Sequence, residues 1–85
     1  MKKSIYDQRY RQIIKRLKGE RRKHGLTQGQ LAARVGWERT QLSKVERCER
    51  RLDLLETHML TSALGLRLTD LESILEREST DDSQQ

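Results

Sequence analysis

Apolar residues recur along this chain at helical rather than alternating spacing. Tyr6, Tyr10, Ile13, Ile14 and Leu17 form one stripe; Leu31, Ala32 and Val35 form a second, and Leu42 with Val45 a third. Leu54, Leu55, Met59, Leu60, Ala63 and Leu64 make a fourth, and Leu71, Ile74 and Leu75 a fifth. A repeat of three to four residues marks one face of an α-helix, because about 3.6 residues complete a turn. The spacing predicts five helices, at about 4–24, 27–35, 38–47, 53–64 and 69–77. The fold class is therefore all-α.

The residues between the stripes say where each helix starts and stops. His24-Gly25-Leu26 and Leu64-Gly65-Leu66 have the form of a left-handed glycine followed by an apolar residue, which closes a helix. Thr27 with Gln30, Asp53 with Glu56 and Thr69 with Glu72 have the spacing of a capping box, in which side chain and backbone satisfy each other at a helix start. Gly36 stops the second helix and permits the positive φ that reverses the chain. Glu38 is a poor cap for the third helix, although its carboxylate suits the positive end of the helix dipole. Gly19 lies inside the first helix and costs about 1 kcal/mol relative to Ala. Ser79 to Gln85 hold no apolar anchor, so residues 79–85 are expected to be a disordered acidic tail behind a single domain at 1–78.

Charge adds direction to this picture. The net charge of +5 is unevenly spread: residues 1–69 carry 17 Lys and Arg against 7 Asp and Glu, residues 70–85 only 1 against 6. A small domain this basic suits an anionic partner, phosphate backbone above all, although a basic helix on a membrane surface has the same charge. No stretch approaches the roughly 20 apolar residues of a membrane span, and Met1-Lys2-Lys3 leads into a polar segment unlike a signal peptide. Cys48 is the single cysteine, with no disulfide partner, which fits a reducing cytoplasm. The expected location is cytoplasmic.

Catalysis finds little support. His24 and His58 are isolated, no Cys, His and Asp cluster has metal-ligand spacing, and Ser43 has no base nearby in sequence. The glycines do not form a phosphate-cradling loop. The reading is a non-enzyme with no cofactor and no metal, in which Cys48 is a packed structural residue.

The informative stretch runs from Gln28 to Arg47. Two short helices crossing steeply need apolar contacts at fixed offsets, here Leu31, Val35, Trp37, Leu42 and Val45, a small residue at the close approach, Ala32, and a glycine in the turn, Gly36. On Gly25-Leu26-Thr27-Gln28, Leu31-Ala32, Leu42-Ser43-Lys44-Val45-Glu46-Arg47 and Ala63-Leu64-Gly65, the chain resembles the lambda-repressor-like, or Xre-type, helix-turn-helix family from about Ile14 to Leu75. The resemblance implies a compact five-helix domain that binds double-stranded operator DNA, commonly as a two-fold homodimer. In Arg47 to Asp53 the chain departs from the family pattern, with Cys48 where glycine usually ends the helix and Leu52 where proline often follows.

The resemblance also assigns roles by position. Arg39, Thr40 and Lys44 match residues that face the major groove, where an arginine can grip guanine O6 and N7 with two parallel bonds. Gln28 matches a position that touches the DNA backbone and braces the recognition helix. Gln41 and Ser43, with Arg47, Arg50 and Arg51 beyond the helix, are candidates for phosphate contact; the plainer alternative for the arginines is a solvated basic loop. Arg21 falls four residues after Leu17, and Glu46 four after Leu42, so two opposite charges point inward; in relatives these positions form a salt bridge. Leu71, Ile74 and Leu75 are the candidate dimer surface, because relatives often associate at this end.

Three functions fit such a domain. The first is a sequence-specific transcriptional regulator, repressor or activator, on an inverted-repeat operator. The second is the antitoxin of a toxin–antitoxin pair that binds its toxin partner and its own promoter, for which an adjacent toxin gene would be diagnostic. The third is the controller protein of a restriction-modification system, marked by neighbouring nuclease and methylase genes.

Overall fold

The structure is a computed structural model and describes residues 7–76. All its regular elements are helical: α1 Gln8–Lys23, α2 Gln28–Arg34, α3 Arg39–Glu46, α4 Leu54–Ala63, then a 3-10 turn Leu68–Leu71 that continues as α-helix over 72–76. The expected tail at 79–85 lies outside the described residues.

Where α1, α2 and α4 open, the chain offers a side-chain acceptor for the first free amides; α3 opens at Glu38 without one. Asp7 caps α1, its carboxylate accepting from the Arg9 amide at 2.7 Å, and the helix starts at Gln8; Ser4 to Tyr6, where the expected helix begins, lie outside the described residues. Thr27 and Gln30 form a reciprocal box on α2 at 3.1 and 2.9 Å, and Asp53 and Glu56 form another on α4 at 2.7 and 3.0 Å. The third expected box is not used. Asp70 instead accepts from the Arg67 amide at 2.8 Å while its own amide reaches the Arg67 carbonyl at 2.9 Å. That tighter turn replaces the α-helical start expected at Thr69.

The helices α1 to α4 end in the same way. The residue after the cap adopts positive φ, and two backbone amides fold back onto the last carbonyls: Gly25 and Leu26 on Arg22 and Arg21, Gly36 and Trp37 on Ala33 and Ala32, Gly65 and Leu66 on Ser62 and Thr61. At the end of α3 the same bonds run from Cys48 to Val45 at 3.0 Å and from Glu49 to Lys44 at 2.8 Å, with Cys48 at φ 60°. A left-handed residue with a Cβ costs roughly 1–2 kcal/mol. Replacing Cys48 by glycine is expected to raise the melting temperature by several degrees, since about 1 kcal/mol shifts a domain of this size by 4–8 °C. The β-branched Cys48→Val should lower it, and equal melting of the two variants by calorimetry would show that no strain is held there.

The core gathers one face of every helix. Ile14 and Leu17 of α1, Leu31 and Ala32 of α2, Leu42 and Val45 of α3, Leu52 from the following loop, and Leu60 with Leu64 around the end of α4 form one buried cluster. Leu54 and Leu55 stay outside it, 76% and 67% exposed. Six and five residues before Leu60, they sit roughly 120–140° around the helix from the face that Leu60 turns inward. Leu71 and Ile74 are buried within this chain, whereas Leu75 is 44% exposed. Of the three expected dimer residues, two are therefore occupied inside the monomer.

Candidate nucleic-acid interface

Between α2 and α3 the chain turns in residues 35–38, and the Schellman turn at Gly36 lets the two helices cross with Leu31, Ala32, Leu42 and Val45 between them. What remains outward on α3 and at its cap, Arg47, is polar, and half of it is cationic. Arg39, Thr40, Lys44 and Arg47 are exposed, and Gln41 and Ser43 are half-buried at the margin. The one carboxylate within α3, Glu46, is turned the other way.

Glu46 meets Arg21 in a buried fork. Arg21 donates from Nε to Glu46 Oε2 at 2.7 Å and from Nη2 to Oε1 at 3.0 Å, with side chains only 8% and 5% exposed. The third guanidinium nitrogen, Nη1, donates to the Leu26 carbonyl at 2.8 Å. Two parallel bonds in a dry site fix the angle between α1 and α3 as a single point charge would not. Glu46 Oε1 also accepts from Gln28 Nε2 at 2.9 Å, and Gln28 Oε1 accepts from Arg39 Nη1 at 3.2 Å. The stem of Arg39 passes the first turn of α2, its Cδ lying 3.8 Å from where a Cβ on Gly29 would be. A chain of four side chains thus runs from the core to the outward arginine.

Beyond α3 the basic residues divide into two kinds. Arg47 donates to Ser43 Oγ at 2.7 Å and to both oxygens of Glu49 at 3.0 and 3.1 Å, but the pair is 56% and 54% exposed. A pair this open to solvent is screened by water and salt and leaves the Arg47 guanidinium available to another anion. Arg51 is exposed as well.

Arg50, the other arginine expected near phosphate, is more firmly engaged within the fold. It donates to Glu56 Oε2 at 2.7 Å and Oε1 at 3.4 Å, and its guanidinium carbon stands 5.6 Å from the centre of the Trp37 ring. The Arg50 carbonyl accepts from the Tyr10 hydroxyl at 3.5 Å, and that hydroxyl accepts from the Leu52 amide at 3.0 Å. Arg50 therefore ties the turn before α3 to the start of α4, while Tyr10 ties the loop between α3 and α4 to α1. Desolvation raises the Tyr10 hydroxyl pKa, opposed by the Leu52 amide bond. The sequence carried no sign of the Tyr10 contact, which joins residues 40 or more positions apart.

The Arg50 hydrogen bond, helped by the Asp53 amide, holds the Glu56 carboxyl below its ordinary value of about 4.5. A carboxylate with a lowered folded pKa contributes stability that is complete above the unfolded value and is lost as pH falls through the folded one. Arg50→Ala is accordingly expected to cost about 1 kcal/mol at pH 7, the sum of a partly exposed ion pair and a cation–π contact. Chemical denaturation should show this difference shrinking below pH 4. A constant difference down to pH 2.5 would leave the ion pair without a share in it.

His24 Nε2 lies 2.9 Å from the Leu64 carbonyl and joins the ends of α1 and α4. Among the described residues, no group of three His, Cys, Asp or Glu is placed to hold a metal ion. No helix of the described residues is long and apolar enough to cross a membrane.

Two short helices held across a glycine turn, the second with a basic outer face, define the structural class of helix-turn-helix proteins. A helix-turn-helix family model matches residues 17–71, and the chain belongs to that family, the Xre or lambda-repressor-like helix-turn-helix proteins, which are DNA-binding regulators of transcription. Comparison with curated proteins and with solved structures returned no match.

Proposed function

We propose that this protein is a sequence-specific regulator of transcription that inserts α3 into the major groove of an inverted-repeat operator as a homodimer. The observation that carries this reading is the division of charge on α3. Its inner carboxylate is consumed by Arg21 and Gln28, which leaves Arg39, Thr40 and Lys44 exposed on α3, with Glu38 just before the helix as the one exposed acid beside them. In this reading those three residues meet base edges, while Gln28, Gln41, Ser43, Arg47 and Arg51 lie toward phosphate. Arg50 holds the scaffold instead.

A two-fold dimer would set two such helices about one DNA turn, roughly 34 Å, apart. Among the described residues, Leu54, Leu55, Leu68 and Leu75 are the exposed large apolar side chains that a second copy could cover. Fluorescence titration of labelled duplexes, selected from random sequence, tests the proposal. The full inverted repeat should bind far more tightly than a half-site. With six phosphates neutralised, the log affinity should fall with log salt at a slope near −5. Indifference to sequence, with no preference over random competitor DNA at low salt, would end it.

A further inference from the structure

Five carboxylates lie between residues 28 and 56, and four of them are engaged in the fold. Glu46 holds Arg21 and Gln28, Glu49 holds Arg47, Asp53 caps α4, and Glu56 holds Arg50. The fifth is Glu38. It occupies the cap position of α3 in extended conformation, φ −77° and ψ 151°, is exposed, and makes no capping hydrogen bond through its side chain. Its carboxylate has no hydrogen-bond or ion-pair partner among the described residues. An unengaged acid at the amino end of the recognition helix is costly beside a polyanion, since the amino end is the part of such a helix that meets base edges.

The groove offers one arrangement in which that acid gains. A carboxylate only accepts hydrogen bonds. Guanine and thymine present acceptors in the major groove and would repel it. Adenine presents an amino group, but beside the N7 acceptor. Cytosine alone presents its N4 amino group with no acceptor on the same base edge. From this chemistry we infer that Glu38 is a specificity-determining residue that accepts a hydrogen bond from a cytosine amino group, at the edge of the half-site entered by the start of α3. The inference rests on the operator-binding reading above. It assigns to the adjacent pair Glu38 and Arg39 opposite base preferences, cytosine for the acid and guanine for the arginine.

The test compares wild type, Glu38→Ala and Glu38→Gln by selection of bound sites from random duplex DNA, followed by titration of the winners and their single-base variants. Wild type should select cytosine at one position of each half-site. Glu38→Ala should lose discrimination at that position alone, by roughly 5–150-fold, the range that a good base contact supplies. Glu38→Gln should move the preference there from cytosine toward adenine, whose N6 and N7 match an amide. Both variants should bind random DNA more tightly, having lost a negative charge. Their melting temperatures should fall by no more than a few degrees, because only the attraction of the carboxylate to the helix dipole is lost and no capping bond.

An unchanged base profile in Glu38→Ala would overturn the inference while leaving operator binding intact. Loss of preference at every position together with a larger fall in melting temperature would also overturn it, by showing a structural role. If wild type itself selected no sequence, the operator-binding reading would fail first, and this inference with it.

Discussion

Glu46→Ala is expected to lower the melting temperature by more than 10 °C and to leave the domain partly unfolded near 37 °C. The substitution strands the Arg21 guanidinium, whose side chain is 8% exposed, without its counter-ion. Breaking a buried pair from one side costs about 3–5 kcal/mol, against a total stability of about 5–15 kcal/mol for a folded domain. About 1 kcal/mol corresponds to 4–8 °C at this size. The pair need not stabilise the fold by that amount overall, since desolvating two charges offsets much of their attraction. The double variant Arg21→Met with Glu46→Leu should therefore recover most of the loss. A single variant melting within one such 4–8 °C step of wild type would mean that solvent reaches the guanidinium after all.

Arg39→Ala is expected to weaken binding to the selected operator by about 1–3 kcal/mol, or roughly 5–150-fold, with only a small loss on random DNA. In the free protein the Arg39 guanidinium rests on Gln28 Oε1 at 3.2 Å. This exposed single contact is weak enough to yield to a guanine and still narrows the directions the side chain explores. Arg39→Lys separates charge from geometry. It keeps the phosphate attraction but lacks the planar fork, so non-specific affinity should return and operator preference should not. If Arg39→Ala weakened both kinds of DNA equally, the residue would be a phosphate neutraliser.

The fold was legible because the helix-turn-helix crossing constrains many offsets together: Leu31, Ala32, Val35, Gly36, Trp37, Leu42 and Val45 are hard to fill by chance. Capping residues located the helix starts for the same local reason, and the boxes at Thr27 and Asp53 are made in the structure. The Thr69 pattern failed because a competing acid, Asp70, was better placed for the Arg67 amide. What the sequence concealed depends on distant or rotational detail. That Arg50 serves Glu56 and Trp37 rather than solvent follows from the path of the loop after α3, which Cys48 bends without the glycine that would have announced it. Leu54 and Leu55 belong to the right helix but to its other side, and Leu71 and Ile74 are inside because the 3-10 turn carries them there.

The chain from Arg21 through Glu46 and Gln28 to Arg39 divides the recognition helix into two sets of positions under unlike constraint. A substitution at Gln28 or Glu46 would disturb that chain at its buried end and at Arg39 together. Thr40 and Lys44 stand apart from that chain, exposed and unburdened by the core. In the proposed readout, those two positions could change without loss of a folded domain, and randomising them is the natural way to retarget this scaffold.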